Sequence, residues 1–196
     1  MTEAGGRRRG FSFAANSVYA AISAGSAALL LLLLMLAGRR LDADDYGRFS
    51  YALAFATILE TMMDIGLVHV TVRAVARDVV GAGRLFRDVL GLKLVWVIVG
   101  LVLLFALAPV LRSDSVVVQA CYLLGVSAAV RSYLLTVRGL LQGLNRFGLE
   151  AAVVAADRVL LLALGSGALL AGYGLLGFCA AFVVARVVML VGVTFV

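Results

Sequence analysis

VLGLKLVWVIVGLVLLFALAPV, the stretch from Val89 to Val110, holds one charged side chain, Lys93, in an otherwise apolar run closed by the only proline of the chain, Pro109. A helix rises about 1.5 Å per residue, so a run of this length crosses the roughly 30 Å of bilayer hydrocarbon. Backbone facing lipid must satisfy its own N–H and C=O groups, which leaves only helices and closed barrels. The alternating pattern of a barrel strand is absent from this run. It therefore reads as a transmembrane helix, and Lys93, near one end, is expected to snorkel to the headgroups without needing a partner.

Five more runs of the same kind flank it. They extend over 16–37, with Leu29 to Leu34 unbroken; 46–72, interrupted by Glu60, Asp64 and His69; 116–137; 147–171; and 175–196. The 196 residues are 64% hydrophobic and 14% charged, against roughly 45–50% and about 25% in average globular domains. The expected fold is an all-α polytopic membrane protein with about six transmembrane helices. A water-soluble enzyme is excluded, and little length is left for a domain outside the bilayer. Arg8-Arg9-Gly10-Phe11 faintly resembles a twin-arginine export signal, but the following run is long for a signal peptide and more spans follow it, so a retained first helix is expected.

Charge and cysteine content narrow the function classes. The formal net charge is +6, yet the 17 basic residues are scattered between apolar runs. That distribution argues against nucleic acid and for anionic membrane lipids as the counter-charge. Cys121 and Cys179 lie inside apolar runs without metal-ligand spacing, and both read as small core residues. No cofactor and no metal is called for. Asp42, Asp44 and Asp45 form an acidic cluster that suits the start of a helix, where free N–H groups need acceptors, better than a metal site. His69 reads as a surface or packing histidine. Arg73 to Asp88 reads as a basic, amphipathic connection along the membrane surface. Gly139 and Gly143 form a GxxxG that would allow close helix approach.

With a cytoplasmic N-terminus, the inner segments hold Arg7, Arg8, Arg9, Arg73, Arg77, Arg84, Arg87, Arg138 and Arg146, and the outer ones hold Arg39, Arg40, Arg48 and Arg112. The positive-inside bias therefore predicts that orientation. Ionisable groups at bilayer depth are costly, and they mark ion pairs or pathways. Counting about 1.5 Å per residue from the inner end, Asp64 and Arg131 fall at roughly 10 Å, and Glu60, Asp157, Arg158 and Arg186 at roughly 15 Å. Glu60 shares a helix face with Asp64, as Arg131 does with Arg138. The simplest arrangement turns both faces, with Arg186 and one of the adjacent Asp157 and Arg158, toward a common interior. Two readings follow: structural salt bridges, or a net cationic cavity for an anionic headgroup.

Several segments add a resemblance. Asn16, Ala37-Gly-Arg-Arg-Leu41, Asp45-Tyr-Gly-Arg-Phe49, Asp64-Ile-Gly-Leu67, Val72-Arg-Ala-Val-Ala-Arg77 and Arg138-Gly-Leu-Leu-Gln-Gly-Leu-Asn-Arg-Phe147 occur in the order seen in polysaccharide biosynthesis flippases. Along its whole length the chain resembles that family, part of the MATE-like multidrug/oligosaccharidyl-lipid/polysaccharide exporter superfamily. The resemblance implies a transporter of two lobes around a central cavity, moving polyprenyl diphosphate-linked oligosaccharide across the bacterial or archaeal cytoplasmic membrane by alternating access, alongside glycan polymerase machinery. It implies that these six spans are the N-terminal lobe, with the second lobe missing from this sequence. Arg131, Arg158, Arg186 and Arg138 are then the candidates for substrate contact, and Glu60, Asp64 and Asp157 for coupling or ion pairing. The competing expectations are a cation-coupled multidrug exporter of the same fold and a non-transporting membrane scaffold or accessory subunit. An enzyme is not expected, because no nucleophile–base or metal constellation is visible.

Overall fold

The computed structural model describes residues 25–26, 28–77 and 81–194. The basic N-terminal segment, residues 16–24 of the first run, the connection at 78–80 and residues 195–196 lie outside the described residues. Within them the protein is an all-α, multi-pass membrane protein. A first helix, α1, covers 28–40. It is followed by α2 (Ala43–Asp64), α3 (Leu67–Arg77), α4 (Ala82–Leu111), α5 (Ser115–Gly143), α6 (Phe147–Leu170) and α7 (Gly174–Thr194). Five stretches are long and apolar enough to cross a bilayer: Ala43–Arg77, Gly83–Leu111, Ser115–Gly143, Phe147–Leu170 and Gly174–Val193.

The outside of this bundle is apolar. Leu92, Val95, Ile98, Val102 and Phe105 of α4 and Val184, Val188 and Val191 of α7 are exposed, the inverse of a soluble helix and the surface that lipid tails cover. Helix α5 is the centre. In its most apolar window 56% of residues are buried, against 17–33% in the other four spans, and it packs on α2, α3, α4 and α7. Its inward positions are small, among them Ala120, Gly125, Ser127, Ala128 and Ala129, so neighbouring backbones come close. The core at one end is aromatic. Phe49 of α2 packs on Phe178 and Phe182 of α7 with ring centroids 5.0 and 5.9 Å apart, and those two rings meet edge to face at 5.2 Å. Cys121 and Cys179 are buried in the same core.

The long second run is broken rather than continuous. Helix α2 stops at Asp64 because Ile65 and Gly66 take left-handed conformations, with φ of 35° and 74°. Glycine adopts that region freely, whereas a β-branched residue pays about 1–2 kcal/mol for it. The chain resumes as α3, whose Leu67, Thr71 and Val75 are buried and whose Arg73 and Arg77 are exposed. Residues 73–77 of the expected basic connection are therefore helical, as the end of the two-faced α3. The buried face of α3 rests on the GxxxG of α5: a side chain at Gly143 would meet Val75 Cβ at 2.8 Å, and one at Gly139 would meet the Val68 carbonyl at 3.3 Å.

Two helix ends differ from the sequence reading. Asp42 occupies the N-cap of α2 but makes no side-chain cap bond, while Asp44 and Asp45 lie in the first turn, where their charge suits the positive end of the helix dipole. Helix α5 continues past Val137 to Gly143, because Arg138, which reads as a boundary charge, finds a carboxylate across the α5–α6 turn.

Candidate functional site

The charges inside the membrane are almost all paired, and the pairs join different helices. Arg131 of α5 donates from Nη1 to Glu60 Oε2 of α2 at 2.9 Å. Arg186 of α7 donates to Asp157 of α6. Arg138 of α5 donates from Nε and Nη2 to Glu150 Oε1 of α6 at 2.9 and 2.5 Å, and Gln142 donates to the same oxygen at 3.3 Å. Lys93 of α4 donates from Nζ to Asp64 Oδ1 of α2 at 2.7 Å. In a medium without water each partner supplies the hydrogen bonds that solvent otherwise would, so a charge left alone there is strongly disfavoured.

This pairing corrects two expectations. Lys93 does not snorkel: its side chain is fully buried, because Asp64 at the break in the second run offers it a carboxylate inside the bundle. Asp64 accordingly faces α4 and not the interior it was expected to share with Glu60. Of the other candidates, Glu60, Arg131, Arg158 and Arg186 line one cleft between α2, α5, α6 and α7. Arg138 and Asp157 join Arg131, Arg158 and Arg186 around a second, smaller one beside it. Only Arg158 and not Asp157 lines the first, as adjacent helical residues must diverge. His69 is exposed.

Four guanidiniums line the two clefts with two carboxylates, Glu60 and Asp157, and Glu150 holds Arg138 from outside them. Among the described residues no carboxylate lies within 4 Å of Arg158, although it is half-buried. Arg186 is 4% exposed, and among the described residues its Nε is a buried donor with no acceptor. Free donors of this kind are complementary to an anion. The first cleft has about 60 Å³ of free space, room for a few ordered waters and far below the roughly 300 Å³ at which ligand pockets begin. A bulky ligand reaches these arginines only if the helices part.

Sequence reasoning did not single out Glu150, and it gave Lys93 the wrong surroundings. Glu150 sits in the first turn of α6, where helix-dipole logic explains it without a partner. The signal that could have found it is its separation from Arg138 by one tight turn, built on Asn145 at φ 55°. For Lys93 the signal was its isolation in an apolar run, which by itself calls for a partner. Metal binding has no candidate: among the described residues no cluster of three His, Cys, Asp or Glu side chains is placed to hold an ion. Compared with models of known protein families, with curated proteins and with solved structures, the chain gives no match.

Proposed function

We propose that the chain is one lobe of a flippase that moves a lipid-linked oligosaccharide, carried on a polyprenyl diphosphate, across the cytoplasmic membrane of a bacterial or archaeal cell by alternating access. The observation that carries this reading is Arg158: a guanidinium inside a helix bundle, with no carboxylate within 4 Å among the described residues, beside the unsatisfied Nε of Arg186 and the cleft-lining Arg131. Ion-pair bookkeeping alone gives no reason for a surplus cation there. A diphosphate does, since arginine recognises phosphate by paired, charge-assisted donors. Glu60 and Asp157 hold Arg131 and Arg186 until substrate competes for them. The small cleft is then the closed form of a cavity that the second lobe completes. In this reading the N-terminus is cytoplasmic, anionic lipids meet the surface arginines, and the glycan polymerase machinery receives the product.

The test is Arg158→Gln in the full-length transporter, with surface polysaccharide and membrane protein level measured together. Loss of polysaccharide at unchanged protein level is the expected result. Normal output from a stably inserted Arg158→Gln protein overturns the reading. A cation-coupled drug exporter fits less well, because three arginines against Glu60 in the first cleft repel a cationic drug.

The second reading is a scaffold, and the four interhelical pairs favour it, since such pairs lock helices without transport. It predicts that Arg158→Gln is silent while Arg186→Gln and Lys93→Met abolish assembly.

A further inference from the structure

At the opposite end of the bundle from Arg138, the first turns of α2 and the α4–α5 connection enclose an open cavity of about 430 Å³. Its charged wall consists of Asp44, Arg48, Arg112 and Asp114, with Tyr51 behind them. Two of the four charges are already engaged. Arg48 donates from Nη1 to Asp45 at 3.0 Å and from Nε to Asp114 Oδ2 at 3.1 Å, while Asp114 Oδ1 accepts the Val116 N–H at 3.0 Å and caps α5. The other two are in no ion pair. Among the described residues no carboxylate lies within 4 Å of Arg112, and no basic nitrogen within 4 Å of Asp44. Arg112 lies instead over the Tyr51 ring, 4.7 Å from its centroid.

We propose that this cavity binds the headgroup of a phosphatidylethanolamine-type bilayer lipid, with the phosphate on Arg112 and the primary ammonium on Asp44. Among the described residues, the wall offers one cation and one anion that are in no ion pair, the complement of a zwitterion and not of a singly charged headgroup. The place suits a lipid: Arg112 follows Val110 and Leu111, which are 80% and 54% exposed at the end of the membrane-spanning α4, so acyl chains can run down the apolar helix from a headgroup held at its tip. A primary ammonium donates hydrogen bonds to a carboxylate, whereas a trimethylammonium has none to give. The aromatic face that would otherwise hold a quaternary ammonium carries Arg112. This proposal requires only that the bundle crosses a membrane and is independent of any transport activity.

The test is native mass spectrometry of the full chain in detergent, titrated with phosphatidylethanolamine, phosphatidylcholine and phosphatidylglycerol of identical acyl chains, and with soluble O-phosphoethanolamine. The wild type is expected to retain the ethanolamine lipid about fivefold better than either of the others, the size of one good interfacial ion pair. Asp44→Asn should bring it down to the level of phosphatidylcholine, and Arg112→Gln should weaken retention of all three. Both side chains are exposed, so the variants are expected to fold, and unfolding curves check this. Equal retention of the ethanolamine and choline lipids by the wild type, or an undiminished preference in Asp44→Asn, overturns the proposal. Displacement of the lipid by equimolar O-phosphoethanolamine would also overturn it, by assigning the cavity to a soluble phosphoester.

Discussion

Lys93 Nζ lies 2.7 Å from Asp64 Oδ1, and Asp64 is the last residue of α2 before the chain breaks at Ile65 and Gly66. One ion pair thus ties α4 to the point where the long second run changes direction.

Lys93→Met should be severe. It strands the Asp64 carboxylate inside the bundle, at a cost of about 3–5 kcal/mol, read as lost stability in denaturant titration of the purified protein. Lys93→Met combined with Asp64→Leu should recover most of it, because an apolar pair has no charge to strand. A double variant as unstable as the single would mean that the pair is not what holds the two helices.

Arginines of the two clefts should separate by their pairing. Arg186→Gln leaves Asp157 without its partner and is expected to lose about 3 kcal/mol or more, whereas Arg158→Gln removes no carboxylate's partner and is expected to stay within about 0.5 kcal/mol of the wild type. Thermal unfolding in detergent checks both. Equal destabilisation would make Arg158 a structural residue.

Glycines of the bundle should differ by what faces them. Gly143→Ala places a Cβ 2.8 Å from Val75 Cβ and 3.1 Å from the Val72 carbonyl, atoms that cannot swing away, so a loss of about 1–3 kcal/mol is expected from overpacking. Gly91→Ala meets nothing within 4 Å and should gain up to about 1 kcal/mol from helix propensity. Cysteine cross-linking between α3 and α5 in the Gly143→Ala protein would register the displacement of α3.

Thiol chemistry offers a check on the core. Cys121 and Cys179 are both buried, so a small membrane-permeant maleimide should label neither in the folded protein and both after unfolding. Rapid labelling of either one in the native state would place α5 or α7 differently.

Much of this architecture was legible in the residues, because lipid imposes a simple grammar. Apolar runs of about 20 residues become helices whatever their detail, and the polar residues inside them must find partners. Depth along the helices put Arg158 and Arg186 at one level and Arg131 roughly 5 Å nearer the inner end, and in the structure all three line one cleft. Partner choice was not legible. Their four-residue spacing gave Asp64 and Glu60 a shared face, but Ile65 and Gly66 end the helix just past Asp64, and the pairing with Lys93 depends on how α4 packs there. Equally hidden was the meaning of Gly139 and Gly143, since among 21 glycines only the position of α3 distinguishes a close approach from an accident of composition.

The pairs also impose a schedule on synthesis. Glu60 precedes its guanidinium, Arg131, by 71 residues, and Asp64 precedes Lys93 by 29. At roughly 5–20 residues per second, the ribosome delivers Lys93 within seconds of Asp64 but Arg131 several seconds later still. Glu60 is therefore without its guanidinium while two more hydrophobic segments are made. By that order of synthesis, helix α2 is expected to settle into the bilayer in two instalments: first against α4 at its broken end, then against α5 once the central helix arrives.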